Sequence, residues 1–281
     1  MKTKINSTMK ETMKKAILVL FASISLMSCK KDDDKGSVAV KMTDGPFPYE
    51  FVVEANLTVA KVELRNKDTG DYVVVHDHNA TVNIAQYRNG ATVEIANQEI
   101  PNGTYDKVKV TISGAEVKLN NNQSYQAEFA GNQTIEVPIY PELTVDNAGE
   151  DQLLLDVDLS DSFSFSGNFM GWITSVAQIT GISNFTADIR ASNLSQTGSI
   201  SGTVISANGP VANAEVSVTY DYTGDGTPDQ VVAVTDANGS FKIIGLPQGN
   251  YTVKVQTENN LTTENCSVSV SHQTNVNVVL P

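Results

Sequence analysis

Cysteine, tryptophan and positive charge are scarce in this 281-residue sequence. It has two cysteines, Cys29 and Cys266, and one tryptophan, Trp172. Two cysteines can form one disulfide at most, so a framework of several disulfide bridges is excluded. Lysine and arginine together number 19 against 32 aspartates and glutamates, which gives a net charge of −13. Nucleic acids and bare anionic lipid surfaces attract basic protein surfaces, so this balance argues against both as partners.

Helical periodicity is also nearly absent after residue 30. Apolar and polar residues alternate instead in short runs, which predicts strands with one face on a core and the other in water. Such runs are Val38 to Met42, Lys107 to Ile112 and Leu153 to Leu159, the last with Leu154, Asp156 and Asp158 on its outer face. Turn residues such as Asn102-Gly103 separate the runs. The pattern predicts an all-β chain with two β-sandwich domains in series.

The first 28 residues have the composition of an export signal. Lys10, Lys14 and Lys15 precede an apolar run from Ala16 to Met27. This run is shorter than the roughly 20 residues of a membrane-spanning helix. It ends in Leu26-Met27-Ser28-Cys29, which resembles the lipobox of bacterial lipoproteins. The resemblance implies cleavage after Ser28 and acylation of Cys29, so that this residue anchors the chain in a membrane. The alternatives are a transmembrane anchor or a chance cysteine.

Residues 29–36 are predicted to form a lipidated tether, because the charge run Lys30–Lys35 cannot form a core. This run resembles the charged export signal that follows the lipidated cysteine in many Bacteroidetes surface lipoproteins. The resemblance implies the outer membrane with exposure at the cell surface, and periplasmic retention is the alternative. Removal of residues 1–28, which hold five lysines and one glutamate, leaves 14 basic and 31 acidic side chains and a net charge of −17.

A polar stretch from Thr186 to Gly198 interrupts the alternating runs. It predicts a first domain at 37–188, a linker at 189–198 and a second domain at 199–281. The first domain resembles the bacterial lipoprotein family DUF4382 in the segments Val38 to Pro46, Ile100 to Val108 and Leu155 to Ser160. It departs from the family at Gly45, where a small side chain usually precedes the proline. The resemblance implies a β fold in a surface setting, and the family brings no established activity.

The second domain resembles the carboxypeptidase regulatory-like domain over its whole length. The matching segments are Ser201 to Val204, Pro210 to Val216, Thr235 to Phe241 and Gly245 to Val253. The resemblance implies a seven-stranded prealbumin-type sandwich related to Cna-B-type stalk repeats and carbohydrate-binding-like folds. Asn238-Gly239 is typical of a tight turn between strands. Cys266 shares a strand face with Val268 and Val270, which predicts a buried and inert thiol.

The segment from Asp221 to Asp229 is the first candidate for a binding site. Carboxylates around glycine turns can converge oxygen atoms on calcium, and the candidate ligands are Asp221, Thr223, Asp225 and Asp229. The segment resembles the calcium loops of dockerins and adhesin B-repeats. It departs from an EF-hand because Thr223 fills the third position and Val232 stands where the bidentate glutamate belongs. The alternative is a solvated acidic loop, and the sequence requires no other cofactor.

Two further pairs of side chains could support chemistry. His76 and His78 lie on one face of a strand, a spacing that some zinc sites use, but two exposed histidines at a strand end are the favoured explanation. Asp156 and Asp158 could act as an acid–base pair of the glycosidase kind, but they lie on one strand without aromatic sugar platforms, which favours a structural role.

No nucleophile elbow, zinc-protease helix, phosphate-binding loop or dinucleotide fingerprint is present in the sequence, and an enzyme is not predicted. The sequence predicts a lipid-anchored cell-surface protein for binding or adhesion, with a glycan or another surface protein as ligand. The alternative is a non-catalytic spacer or an accessory subunit of an outer-membrane complex.

Overall fold

The computed structural model describes residues 34–45, 51–127, 131–168 and 178–281. The predicted signal segment, Cys29, residues 30–33 of the charged run and Trp172 lie outside the described residues. Within the described ranges, no helix is both long and apolar enough to span a membrane.

The first domain consists of strands and one short helical turn. Its strands are β1 Lys35–Asp44, β2 Val52–Asn66, β3 Tyr72–His76, β4 Ala80–Asn83, β5 Val93–Pro101, β6 Gly103–Leu119, β7 Ser124–Gln126, β8 Gln133–Val145, β9 Glu150–Asp158, β10 Phe163–Asn168, β11 Gln178–Phe185 and β12 Asp188–Asn193. The helical turn α1 covers Leu159–Ser162, and two 3-10 turns cover Ile84–Gln86 and Leu194–Gln196.

The second domain follows without a gap and consists of strands in the described chain. They are β13 Thr197–Ser206, β14 Gly209–Pro210, β15 Glu215–Tyr220, β16 Asp229–Val234, β17 Ser240–Pro247, β18 Gly249–Gln256, β19 Leu261–Val268, β20 Gln273–Asn275 and β21 Val278–Val279. The predicted all-β fold class is therefore confirmed.

Two groups of strands enclose the core of the first domain. One runs in the order β3-β2-β6-β8 and the other in the order β12-β9-β1-β5, with β4 on β2 and β7 on β6. The two groups join through the pairing of Ala191 with Ile139, and β10 and β11 form a separate hairpin. Alternate residues of each strand face the core, as the sequence predicts: Val108, Val110 and Ile112 of β6 are buried. Burial of this apolar face is the main stabilising contribution.

The second domain packs a sheet around β13 and β17 against the four-stranded sheet β16-β15-β18-β19. Its core contains the predicted inward residues Val276, Val278 and Leu280. The predicted tight turn is present, because Gly239 has φ +72° and donates its N–H to the Asp236 carbonyl at 2.9 Å.

The predicted linker at 189–198 is wrong. Residues 188–193 form β12, an interior strand that pairs with β9 along its length. Ile189 and Ala191 face the core, but the intervening Arg190 and Ser192 are also buried, because the second domain covers them. The polar residues that suggested a linker therefore form the second face of a buried strand, which contacts the second domain.

The predicted tether at 29–36 also ends too late. Lys35 and Gly36 are the first residues of β1, where they pair with Pro101 and Ile100. Gly36 is buried, and a Cβ atom there would lie 2.1 Å from the Asp146 carbonyl oxygen. The sheet therefore reaches into the charged segment because glycine permits a close backbone approach at that point.

Candidate functional site

A groove lies on the outer face of the first domain, where β6 changes its neighbours. From Gly103 to Ile112 this strand pairs with β8, and from Glu116 to Lys118 it pairs with β7. On the other side, β2 pairs with β3 along one half and with β4 along the other. Register shifts in β2 on both sides of Val59 separate the two halves. The sheet thus divides into two regions, and the groove occupies the region of β4, β2, β6 and β7.

This polar groove has a volume of about 700 Å³. Its lining is Asn56, Thr58, Thr81, Ser113, Gly114, Ala115, Glu116, Gln126, Ala127, Gly131 and Asn132. A volume of this size falls in the range of small-molecule binding sites, roughly 300–1,000 Å³.

The register places the polar side chains of the groove in rows. Glu116 is opposite Asn56 on β2 and opposite Gln126 on β7, so one row crosses three adjacent strands. In the next row, Thr58 is opposite Thr81 on β4 and Gly114 on β6. Directly opposite side chains share a face and have Cβ atoms about 5 Å apart. The groove therefore presents hydroxyl, amide and carboxylate groups in an ordered grid. Gly114 is the position in this grid that carries no side chain.

Several groups in the polar groove have no bond to the protein. Thr58 and Thr81 share a hydrogen bond of 2.9 Å between their hydroxyls, and Ser113 donates to the Asn79 side-chain oxygen at 3.2 Å. Three lining side chains make no hydrogen bond or ion pair within the described chain, namely Glu116, Gln126 and Asn132. These three are available to a ligand.

The other half of the same outer face is covered by ion pairs. Arg65 contacts Asp106 at 2.5 Å, Lys107 contacts Glu136 at 2.8 Å, and the Lys109 ammonium lies 3.8 Å from the centre of the Tyr72 ring. At the far end of the polar groove, Lys118 contacts Glu54 at 2.8 Å. The nearby charges are thus neutralised in pairs, and Glu116 is the one charged side chain in the lining described above.

Sequence reasoning did not find the polar groove. Its residues come from four strands, β2, β4, β6 and β7, and from the chain beside them. They carry no motif, since serine, threonine, asparagine and glutamine on alternate positions are typical of any solvated strand face. No local signal marks the groove, because the outer face of β6 carries charged side chains in both halves: Lys107 and Lys109 in the first, Glu116 and Lys118 in the second.

The junction between the two domains is a second polar site, centred on Arg190. This side chain is 5% exposed, and its Nη2 atom lies 2.5 Å from Asp156 Oδ2 on the neighbouring strand. It also donates to three groups of the second domain: the Tyr220 hydroxyl at 2.9 Å, the Gly245 carbonyl at 2.7 Å and the Ile244 carbonyl at 3.0 Å. Burial alone would lower the pKa of the guanidinium, but Tyr220 and Asp156 more than offset this effect, and the pKa is raised. Arg190 therefore stays charged and joins the two domains.

Close packing surrounds this arginine. Leu154, which the alternation predicted to face water, is fully buried. Gly245 has φ +69°, and a Cβ atom there would lie 2.5 Å from Ser192 Oγ and 2.9 Å from Leu154 Cδ2. The outer face of β9 and β12 is thus an interface in which no side chain fits at position 245.

Asp156 and Asp158 do not form an acid–base pair. Asp156 is held by Arg190, whereas Asp158 caps α1 by accepting the N–H groups of Ser160 at 2.8 Å and Asp161 at 3.1 Å. Burial, together with the nearby carboxylates of Asp161 and Asp156, raises the pKa of Asp158 to about 6, although the hydrogen bonds from Ser160 and Asp161 oppose the shift. The two aspartates thus have separate structural roles, as the sequence favoured.

A cavity of about 30 Å³ adjoins these aspartates, lined among others by Asp158, Asp188 and Tyr222. Burial raises the pKa of Asp188, and the carboxylates of Asp161, of Asp229 in the second domain and of Asp156 raise it further. Negative charge from both domains therefore meets on this side of the junction.

In the predicted calcium loop the carboxylates bind backbone N–H groups. Asp221 accepts from Gly224 at 2.6 Å and from Gly226 at 2.9 Å, and Asp225 accepts from Thr227 at 2.7 Å. Asp229 accepts from the backbone N–H of Thr223 at 3.2 Å, and the Thr223 hydroxyl also donates to it at 3.2 Å. Among the described residues, no group of three or more His, Cys, Asp or Glu side chains is placed to hold a metal ion. These bonds account for the acidic loop without an ion, which favours the alternative of a solvated loop, and calcium binding itself is untested.

The two histidines differ in environment. His76 ends β3 and is 4% exposed, while His78 lies beyond the strand and is exposed. Their ring centroids are 4.2 Å apart, and the third histidine, His272, lies in the second domain. The prediction of two exposed histidines at a strand end is therefore wrong for His76, and the pair is not part of a larger metal-ligand group in the described chain.

Cys266 is half-buried rather than fully buried. It packs against the core of the second domain, and burial raises the pKa of its thiol. The strand face was predicted correctly, but the thiol lies on β19 at the edge of its sheet, where one side stays open.

Family models match most of the described chain. Residues 35–171 match the domain of unknown function DUF4382, and residues 199–281 match the carboxypeptidase regulatory-like domain. The chain carries these two domains in series. Their order and identity confirm the two resemblances seen in the sequence. The DUF4382 match ends before β11, so β11 and β12 complete the first domain outside the matched range.

Solved structures resemble the chain only distantly. The TIE protein of Bacillus anthracis is 12% identical with a TM-score of 0.28, and the match covers 99% of this chain and 45% of that one. BcpA, the major pilin subunit of Bacillus cereus, is 12% identical with a TM-score of 0.23, covering 88% and 70%. GBS52, a minor pilin of Streptococcus agalactiae, is 10% identical with a TM-score of 0.25, covering 86% and 94%. Likenesses of this size do not extend to function, and no curated protein matches the chain.

Proposed function

We propose that the DUF4382 and carboxypeptidase regulatory-like domains form a lipid-anchored, non-catalytic binding or adhesion protein of the bacterial outer membrane, exposed at the cell surface. The polar groove is the observation that carries the binding role, because it combines a large volume with three unbonded polar side chains, Glu116, Gln126 and Asn132. The ligand is a glycan or another surface protein.

The anchoring part of the proposal rests on the sequence from Leu26 to Cys29. Several acyl chains on one cysteine hold a protein at a membrane for long times, since each buried methylene contributes about 0.8 kcal/mol. β1 begins at Lys35, so at most five residues separate Cys29 from the first strand. A short tether of this kind keeps the first domain close to the membrane surface.

Labelling with a palmitate analogue tests the anchor. Cys29→Ala is expected to abolish incorporation and to leave an unprocessed or mislocalised precursor, whereas Cys266→Ala should label like the wild type. Protease added to intact cells should remove the wild-type chain. Unchanged labelling of Cys29→Ala would contradict the anchor, and full protease resistance of intact cells would place the chain in the periplasm.

The binding role is tested by comparing the surface retention of wild-type cells with that of cells that carry Cys29→Ala. Cells that display the chain should be retained on a glycan array, or on immobilised surface proteins of the same bacterium, more strongly than cells that carry Cys29→Ala. Equal retention of the two strains on every surface would contradict the binding role.

The buried contacts of Arg190 favour a second function, that of a rigid spacer or an accessory subunit of an outer-membrane complex. A charge that is bonded to both domains fixes their relative orientation, which a spacer requires and a binding protein does not. For this role, envelope complexes should dissociate when the chain is deleted. They should reassemble with a double variant that carries Gln126→Ala and Glu116→Ala, since a spacer does not need the polar groove.

A further inference from the structure

We infer that the polar groove binds a neutral oligosaccharide. This inference rests on the proposed binding function and selects the ligand class at one site. The groove belongs to the DUF4382 domain, whereas the carbohydrate-binding-like resemblance noted in the sequence belongs to the other domain.

The charge of the lining selects a neutral ligand. Among the described residues that line the polar groove there is no lysine or arginine, and the one charged side chain is the carboxylate of Glu116, which forms no ion pair with another described residue. The nearest described cation at the end of the groove, Lys118, is already bonded to Glu54. A uronic acid, sulfate or phosphate group would meet a carboxylate without a compensating cation, and the chain as a whole has a net charge of −13. Like charges in contact are unfavourable, so anionic ligands are repelled.

The hydrogen-bonding capacity of the lining matches sugar hydroxyls. Each hydroxyl of a sugar both donates and accepts, and amide side chains offer both functions while a carboxylate accepts two bonds. Asn56, Glu116 and Gln126 stand in one row on three strands, with neighbours about 5 Å apart. Such a row can bond successive hydroxyls of one sugar unit, and the row of Thr58 lies about 7 Å further along the strands.

Gly114 provides the space for a ring in the middle of the grid. It lies beside Ser113 in β6, directly opposite Thr58. A Cβ atom at Gly114 would lie 3.3 Å from Thr58 Oγ1, so the Thr58 hydroxyl would have to shift slightly to admit a side chain, which would also remove volume from the floor. A larger side chain at this position would fill the groove without disturbing the core.

A protein ligand fits the groove less well. β6 is paired on both sides, with β2 and β7, so its backbone cannot accept an added strand at this point. Protein interfaces also centre on buried aromatic or other large apolar side chains. Among the described lining residues the apolar side chains are Ala115 and Ala127, which offer little surface of that kind. The described floor of the polar groove therefore offers a protein partner neither an open strand edge at β6 nor a large apolar side chain.

Calorimetric titration of the full-length protein in detergent tests this inference. The probes are linear hexasaccharides of glucose, mannose and galactose, with a hexasaccharide of galacturonic acid as the anionic counterpart of the galactose chain. At least one neutral probe is expected to bind, and the galacturonic acid probe is not. Glu116→Ala and Gln126→Ala should each weaken binding about tenfold, the effect of losing one or two hydrogen bonds. Gly114→Val should abolish it.

The control is Glu264→Ala, which removes an exposed carboxylate from β19 of the second domain and should leave the affinity unchanged. Circular dichroism melts of all variants establish that they fold. The inference is overturned if none of the neutral probes binds, if the galacturonic acid probe binds more tightly, or if the groove variants and the control behave alike. If one of these results is obtained while wild-type cells are still retained on surfaces more strongly than Cys29→Ala cells, oligosaccharide binding in the groove is refuted. The proposed binding function is not refuted in that case.

Discussion

Arg190 of the first domain donates a hydrogen bond of 2.7 Å to the carbonyl oxygen of Gly245 in the second domain. The same guanidinium binds Asp156 within its own domain. One side chain thus closes the interface and neutralises the carboxylate buried beside it. The two domains are consequently expected to unfold together and not independently.

Replacing Arg190 by methionine tests this coupling. Arg190→Met leaves the Asp156 charge buried without a partner, which is expected to cost about 3–5 kcal/mol of the free energy of unfolding. In urea, the single transition of the wild type should separate into two, one for each domain. The matched control is Arg65→Met, because Arg65 binds Asp106 at the same 2.5 Å on a partly exposed face, where water screens the pair and its loss should destabilise the protein far less. If both variants lose the same free energy of unfolding, burial of Arg190 at the junction does not strengthen its contribution to stability.

A methyl group at position 245 should separate the domains sterically. The Cβ atom of Gly245→Ala would lie 2.5 Å from Ser192 Oγ and 2.9 Å from Leu154 Cδ2, so the interface has to open. Gly70→Ala is the control, because Gly70 has a similar φ of +78° and no atom within 4 Å of the added Cβ. We expect Gly70→Ala to lower the free energy of unfolding by about 1 kcal/mol and Gly245→Ala by several times that amount. Melting temperatures measure the difference, and similar shifts would contradict the steric account.

The raised pKa of Asp158 predicts an unusual dependence of stability on pH. Its folded-state pKa is about 6 against 3.8 for the free side chain, so the native state binds the proton more tightly than the unfolded state. The stabilising effect of this protonation is present at low pH and is lost as the pH rises through about 4 to about 6. Asp158→Asn, whose side chain still caps α1, should therefore stabilise the protein at neutral pH by on the order of 2 kcal/mol and have little effect near pH 4.

The measurement for Asp158→Asn is a series of urea titrations between these pH values. Asp161→Asn is the control, because Asp161 lies in the same helical turn but is exposed, so its replacement should give a smaller stabilisation at neutral pH. A stabilisation of Asp158→Asn that does not vary with pH would contradict burial of the carboxylate as the cause.

The geometry of the acidic loop predicts no response to calcium. The Asp221 carboxylate already accepts the N–H groups of Gly224 and Gly226, and a cation would have to displace these bonds. The melting temperature of the full chain should therefore be the same in millimolar calcium and in chelator. A rise in calcium that Asp225→Ala removes would restore the loop as a calcium site.

The sequence predicted the strands and both domains because alternation reports directly on burial of one strand face. It could not predict β12, since alternation in Ile189-Arg190-Ala191-Ser192 assigns Arg190 to water unless a second surface is known to cover it. Alternation assigns Leu154 to water for the same reason, although the second domain covers it. The polar groove escaped prediction for a related reason, because Asn56, Glu116 and Gln126 are brought together by strand register, which no local pattern encodes.

The position of β12 has a consequence for the order in which the protein folds. Residues 188–193 fill the place between β8 and β9, so these two strands keep unpaired edges until the chain has been synthesised almost to the start of the second domain. Pairing partners this far apart in sequence form slowly. The first domain thus cannot complete its sheet early during synthesis, because the strand that closes it is also the last one of the domain to be made.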